Sequence, residues 1–195
     1  MDRHRSTMDP AYFEGMFRDT DDPWDLDTSP YEQAKFAESI AALSGRNYSS
    51  GFEVGCARGA LTVKLAEHCA TLLSIDVSET ALGAARRRAA HFDHVDFARM
   101  AFPGETPADR FDLVALSEVA YYWDDADLNR TADWLAAHLV PGGDLLLVHF
   151  TGETDYPQSG DDAVGKLSEL LGRAITVIVS DSRPRYRLDL WRRSA

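Results

Sequence analysis

Phe52-Glu53-Val54-Gly55-Cys56-Ala57-Arg58-Gly59-Ala60-Leu61 is the stretch on which the reading of this chain turns. A β-prone run carries an acid two residues before Gly55, a second glycine follows four residues later, and a helical pattern starts at once. Glycine turns a chain tightly off a strand and lets a ligand approach bare backbone. A Gly-x-x-x-Gly by itself also occurs in ordinary turns. Asp76 raises its weight, because it ends the next strand-like run, Thr71 to Val77, 23 residues after Glu53. In a doubly wound sheet that place sets a carboxylate beside a ribose. A dinucleotide cradle would normally read Gly-x-Gly-x-x-Gly. Here position 57 is alanine, and an acid precedes the turn where a phosphate would be unwelcome. The pattern suits a ligand bearing an amino group better than one bearing a pyrophosphate.

Working outward, strand and helix patterns alternate. Helices are expected near 33–45, 60–68, 79–88, 125–139 and 163–172. Strands are expected at 51–54, 71–77, 94–100, 111–119 and 144–150, with Pro141-Gly142-Gly143 as a stop and turn. Short apolar strands between helices imply a parallel sheet covered on both faces. Two more strands, 175–181 and 186–192, are joined by Ser182-Arg183-Pro184, too short for a parallel crossover. The expectation is therefore an α/β, doubly wound, seven-stranded sheet, mostly parallel with an antiparallel C-terminal hairpin. A polar, turn-rich segment, 1–33, precedes it within what is expected to be a single domain overall, with the sheet in 34–195.

The chain has 195 residues, 20 Lys+Arg against 32 Asp+Glu, and a formal net charge of −12. Such acidity opposes duplex nucleic acid, whose affinity depends on Lys and Arg displacing counterions. No apolar run approaches the ~18 residues of a membrane span, and the first residues lack a signal peptide's apolar region. Cys56 and Cys69 read as reduced thiols, so a cytoplasmic protein is expected. No His/Cys/Asp cluster has metal-ligand spacing.

The ordered motifs resemble those of class I S-adenosylmethionine-dependent methyltransferases. The resemblance implies a Rossmann-like fold, S-adenosyl-L-methionine as cofactor and S-adenosyl-L-homocysteine as product. It implies that backbone at Gly55, Cys56 and Ala57 lines the methionine part, that Gly59 belongs to the same cofactor motif, that Glu53 supports the turn, and that Asp76 binds the ribose with Val77 against adenine. Arg99-Met100-Ala101-Phe102 stands where the family carries adenine-edge residues, with Ala101 in place of a frequent aspartate. Phe111-Asp112-Leu113-Val114 and Ser117-Glu118-Val119 look like the motif whose strand end reaches the reacting methyl. More narrowly, Asp22-Pro23-Trp24, Ser29-Pro30-Tyr31-Glu32 and Ser117-Glu118-Val119-Ala120-Tyr121-Tyr122 are similar to NodS, a nodulation family that N-methylates the glucosamine end of a deacetylated chitooligosaccharide. That likeness implies that 1–33 forms an N-terminal helical lid over the cofactor, with Trp24 and Tyr31 facing it. It weakens after residue 148.

Candidate catalytic groups are Glu118, His149 and Asp155; candidate acceptor contacts are Tyr121, Tyr122, His149, Thr151 and Tyr156. Each has an ordinary counterpart reading: a capping carboxylate, a satisfied histidine, core aromatics, a mere connector. The Asp19–Asp27 run reads as a solvated turn, Arg86-Arg87-Arg88 as an exposed helix face, and arginines 183, 185, 187, 192 and 193 as edge protection. The expected activity is methyl transfer to a small polar acceptor, an amino-sugar amine. O-methylation of another metabolite, a non-catalytic S-adenosylmethionine-binding module and, more distantly, a dinucleotide oxidoreductase stand as alternatives. A monomer or homodimer without nucleic acid or membrane partners is expected.

Overall fold

A computed structural model describes residues 3–195. The chain divides into two compact units, Asp9–Ala101 and residues 3–8 with Phe102–Ala195. The first unit opens with α1 (Pro10–Asp19) and α2 (Pro30–Ala42). Each starts on a proline behind a capping side chain, Asp9 or Ser29. Proline suits this position because its missing N–H would be unsatisfied anyway. Then come β1 (Gly51–Val54), α3 (Thr62–Ala66), β2 (Leu72–Asp76), α4 (Glu79–Arg88) and β3 (Val95–Arg99). The strands run parallel in the order β3-β2-β1. Phe52, Leu65, Leu72, Ile75 and Leu82 are buried in its core. Ser78 caps α4 through Ala81 N, and Glu79 occupies its first turn, both as the sequence predicts.

The second unit holds β4 (Phe111–Ser117), α5 (Asp125–His138), β5 (Leu139–Phe150), α6 (Gly160–Leu171), β6 (Ile175–Ser182) and β7 (Tyr186–Arg193). Its strand order is β4-β5-β7-β6. β4 and β5 are parallel, whereas β7 is antiparallel to both β5 and β6. Leu113, Leu116, Leu128, Leu135 and Leu145 are buried. The expected seven strands, mostly parallel with an antiparallel C-terminal hairpin, are those found.

Several local readings change. Helix 60–68 shrinks to the five residues of α3. β5 begins at Leu139, so Pro141-Gly142-Gly143 lies inside a strand rather than before it. The pairing jumps there from Phe111↔Leu139 to Leu113↔Asp144, and Gly142 has φ 75°. An irregularity of this kind takes proline's missing donor out of the ladder. The C-terminal arginines do not guard an edge, because most of them sit on β7, between β5 and β6. Arg192 binds the fully buried Asp144 with two hydrogen bonds, of 2.7 and 3.1 Å. Arg187 binds the buried Asp189 and the exposed Asp161. Buried carboxylates require such partners.

Candidate functional site

In the first unit β1 delivers the chain into a turn with three positive φ angles, Gly55 (74°), Ala57 (48°) and Gly59 (78°). Ile75 O accepts from both Gly55 N (2.8 Å) and Cys56 N (2.9 Å), holding the turn against β2. A Cβ on Gly59 would lie 3.1 Å from Ala85 of α4, so glycine is required there by both conformation and space. The left-handed Ala57 is strained, yet its N–H donates to Asp76 Oδ2 at 2.8 Å. Asp76 Oδ1 accepts from Ser78 N, also at 2.8 Å. One buried carboxylate therefore joins the turn to the start of α4. Burial pushes the Asp76 carboxyl above its usual range, against the pull of these backbone donors.

Glu53 lies beneath the turn. Its Oε2 accepts from Thr62 Oγ1 (2.6 Å) and Ser74 Oγ (2.7 Å), and it is buried. Burial raises its carboxyl from 4.5 to about 7. Cys56 is buried, and loss of hydration holds its thiol well above its ordinary value. Val77 O accepts from Arg99 Nε, and Met100 N donates to Asp76 O. Val77, Met100 and Ala101 are half-buried.

Residues 9–29 are fastened to this framework by contacts the sequence did not announce. Glu14 of α1 accepts from Ser78 Oγ and Thr80 Oγ1, each at 2.7 Å. These hydroxyl donors hold its carboxyl down at about 2. Arg58, from the glycine turn, donates to Asp21 O and pairs with Asp27, which also binds Arg88. The aspartate run is thus not simply a solvated turn: Asp27 answers two arginines, and Asp22 accepts from Leu26 N and Asp27 N. Arg88 likewise is not an idle surface cation. Trp24 is half-buried and meets Phe17 edge-on at 5.3 Å. Tyr31 is half-buried with Lys35 Nζ 5.3 Å from its ring centre. No regularity of spacing links Glu14 to Ser78 or Arg58 to Asp27, so sequence inspection could not find these pairs.

In the second unit Glu118 follows β4 with a left-handed backbone, φ 56°. A non-glycine residue held so costs about 1–3 kcal/mol and tends to mark a functional position. Its Oε2 accepts from Tyr121 OH (2.9 Å) and from Phe150 N (2.8 Å). Tyr121 is buried, and burial beside Glu118 pushes its phenol well up. Tyr156 stacks on Tyr121 at 5.6 Å and meets Tyr122 edge-on at 4.6 Å. Residues 3–8 brace this cluster: His4 N donates to Asp155 O (2.7 Å) and Met8 N to Tyr122 O (3.0 Å). Ser117 and Thr151 are half-buried, and the Asp155 side chain is half exposed, 3.7 Å from His4.

His149 and Phe102 lose their proposed roles. His149 is 0% exposed, and its Nε2 accepts from Ala120 N at 3.2 Å. A ring sealed in that way reaches neither a proton acceptor in solution nor a substrate. Phe102, expected at the adenine edge, is buried against Trp123 and Trp134 in the core of its unit. Among the described residues no group of His, Cys, Asp and Glu could hold a metal ion, and no helix is long and apolar enough to cross a membrane.

A glycine turn after the first strand, a carboxylate at the end of the second and a reversed C-terminal hairpin define the class I methyltransferase fold. Within that class, the chain belongs to the Nodulation protein S (NodS) family, whose model matches residues 16–149. Nodulation protein S of Rhizobium tropici is 37% identical over 128 residues, 65% of this chain and 54% of that relative. Nodulation protein S of Sinorhizobium fredii (strain NBRC 101917 / NGR234) is 34% identical over 128 residues, 65% and 59% of the two chains. The chain thus spans little more than half the length of these relatives. The crystallised N-methyltransferase NodS of Bradyrhizobium japonicum WM9, in complex with S-adenosyl-L-homocysteine, is 29% identical with a TM-score of 0.82, over 96% of this chain and all of that one.

Proposed function

We propose that this chain is an S-adenosyl-L-methionine-dependent methyltransferase that methylates the amine nitrogen of a small polar acceptor, an amino sugar of the deacetylated chitooligosaccharide class. The observation that carries the reading is Asp76. Its two carboxylate oxygens accept from the backbone N–H groups of Ala57 and Ser78, and a carboxylate offers about four acceptor sites. That capacity fits the paired hydroxyls of a ribose. Backbone at Gly55, Cys56 and Ala57 would meet the methionine part, and Glu53 and Gly59 would keep that backbone in place. Val77, Met100 and Ala101 would border the base, with Trp24 and Tyr31 covering the ligand. When bound, the cofactor supplies a methyl group already activated on a sulfonium.

The chain's own work is then alignment, desolvation and proton handling. Fixing donor and acceptor in a reactive geometry supplies up to roughly 7–11 kcal/mol, and excluding water removes competing solvation. An ammonium acceptor must shed a proton to expose its lone pair. Glu118 is the group assigned to take it, a step typically worth about 10²–10⁴-fold; Asp155, exposed on its loop, is the reserve. Tyr122, Tyr156 and Thr151 are the proposed acceptor contacts. Two buried cysteines outside any disulfide, Cys56 and Cys69, fit a reducing cytoplasm.

Calorimetric titration with S-adenosyl-L-homocysteine, with NAD as comparison, tests the cofactor. Binding of the first alone is expected, weakened roughly ten- to a hundredfold in Asp76→Ala by loss of charge-assisted hydrogen bonds. Unchanged affinity in that variant removes Asp76 from the site. Mass spectrometry of glucosamine and deacetylated chitooligosaccharides incubated with enzyme and cofactor tests the acceptor. A product heavier by one methylene is expected, and its absence from every amine acceptor overturns the N-methylation reading.

A further inference from the structure

Tyr121 is too deeply buried, at 7% exposure, to serve as the acceptor contact its sequence position implies. Its hydroxyl instead donates to Glu118 Oε2 at 2.9 Å. The same oxygen accepts from Phe150 N at 2.8 Å, at the end of β5. The two donors come from different elements, a 3₁₀ turn at Ala120–Tyr122 and a sheet strand. A carboxyl group pinned through one oxygen by two such donors cannot rotate about its Cγ–Cδ bond without breaking both. The backbone beneath it is fixed too: Glu118 N donates to Val148 O at 2.8 Å, with φ at 56°.

The tyrosine is itself held on several sides. Tyr156 stacks on its ring with an interplanar angle of 7°, and Tyr122 and His149 meet it edge-on at 4.6 and 5.7 Å. Gln158 N donates to Tyr121 O at 3.2 Å. His149 accepts from Ala120 N, the residue just before. The buried histidine therefore contributes to the turn that carries the tyrosine rather than to chemistry. Left-handed strain, a doubly anchored carboxylate and a stacked phenol converge on one orientation of one side chain. Preorganisation of this kind is what a proton-accepting group needs.

We infer that Tyr121 is a positioning residue for Glu118, orienting its carboxylate toward the protonated amine of the acceptor without touching that acceptor. This assignment rests on the proposed N-methyltransferase activity, with Glu118 as proton acceptor. Its reach is specific: Tyr121 acts through Glu118 or not at all. The Glu118-x-x-Tyr121 spacing makes a short turn the means of pairing the two side chains.

Steady-state kinetics of Tyr121→Phe, Glu118→Gln and the double variant, with an amino-sugar acceptor, test it. Phenylalanine keeps the ring that stacks on Tyr156 and removes only the hydroxyl. Tyr121→Phe is expected to lower kcat roughly ten- to a hundredfold, the worth of a hydrogen bond to a charged group, with the KM for the cofactor unchanged. In the Glu118→Gln background the same change is expected to cost less than about twofold, since residues acting as one unit are not additive. Wild-type kcat in Tyr121→Phe, or fully additive losses in the cycle, overturns the assignment. If the wild-type protein binds cofactor yet methylates no amine, the activity reading falls on its own. The crystal structure of Tyr121→Phe then decides the positioning role. A Glu118 carboxyl group displaced from Phe150 N upholds it, and one left in place refutes it.

Discussion

Replacing Glu53 by glutamine is expected to change how stability depends on pH. Glu53 is buried under the glycine turn, and its carboxyl is raised from 4.5 to about 7, chiefly by loss of hydration and despite hydrogen bonds from Thr62 and Ser74. Between those two values the folded protein holds a proton that the unfolded chain has released. Stability therefore falls as pH rises through this window, and the full loss is present above about pH 7. At roughly 1.4 kcal/mol per tenfold the displacement amounts to about 3 kcal/mol, of which about 2–3 kcal/mol lies between pH 5 and pH 8. Glutamine has nearly the same shape, can accept from both hydroxyls and does not ionise. Urea unfolding followed by tryptophan fluorescence at a series of pH values gives ΔG for both proteins. Subtracting the two curves cancels the histidines and other carboxylates that titrate identically. The wild-type curve should fall relative to Glu53→Gln by that amount, so that the variant is the more stable protein at pH 8. Parallel curves, or a wild type that gains on the variant with rising pH, would show that Thr62 and Ser74 outweigh burial and keep Glu53 charged.

Gly59→Ala should destabilise the fold by about 2–5 kcal/mol. The φ of 78° costs an L-residue roughly 1–2 kcal/mol, and a Cβ at 3.1 Å from Ala85 adds an overpacking cost of roughly 1–3 kcal/mol. A urea midpoint within about 0.5 kcal/mol of wild type contradicts this, and Ala85→Gly should recover only the packing part. Arg192→Ala leaves Asp144 buried without its two guanidinium bonds and should cost about 3–5 kcal/mol. Asp144→Asn in the same background should restore part of the loss, and a thermal melt unmoved by Arg192→Ala would mean that water replaces the arginine.

The frame of the fold was legible because its signals are local. Short apolar runs marked the strands, and the three-residue Ser182-Arg183-Pro184 link forced an antiparallel hairpin, found between β6 and β7. Gly55, Gly59 and Asp76 could be singled out because a turn after one strand and an acid after the next hold a fixed sequence spacing in this sheet type. Boundaries were less legible where a tertiary neighbour decides them. Pro141-Gly142-Gly143 reads as a stop, yet pairing with β4 carries β5 through it. His149 shows the same limit at the site: its place at the end of a strand is right, but only packing reveals that the ring is sealed and bonded to Ala120 N.

By itself the sequence determined the class of fold, the glycine turn and the carboxylate that ends the second strand. Those features depend on residue type and spacing along the chain. Tertiary structure alone decided that Asp76 bridges Ala57 to Ser78, that Glu14 and Arg58 fasten residues 9–29, and that the Tyr121 hydroxyl donates to Glu118. These pairings join residues up to 66 apart or depend on burial. Hydrogen-bond partners and lost hydration are properties of the packed chain, and periodicity in a sequence carries neither.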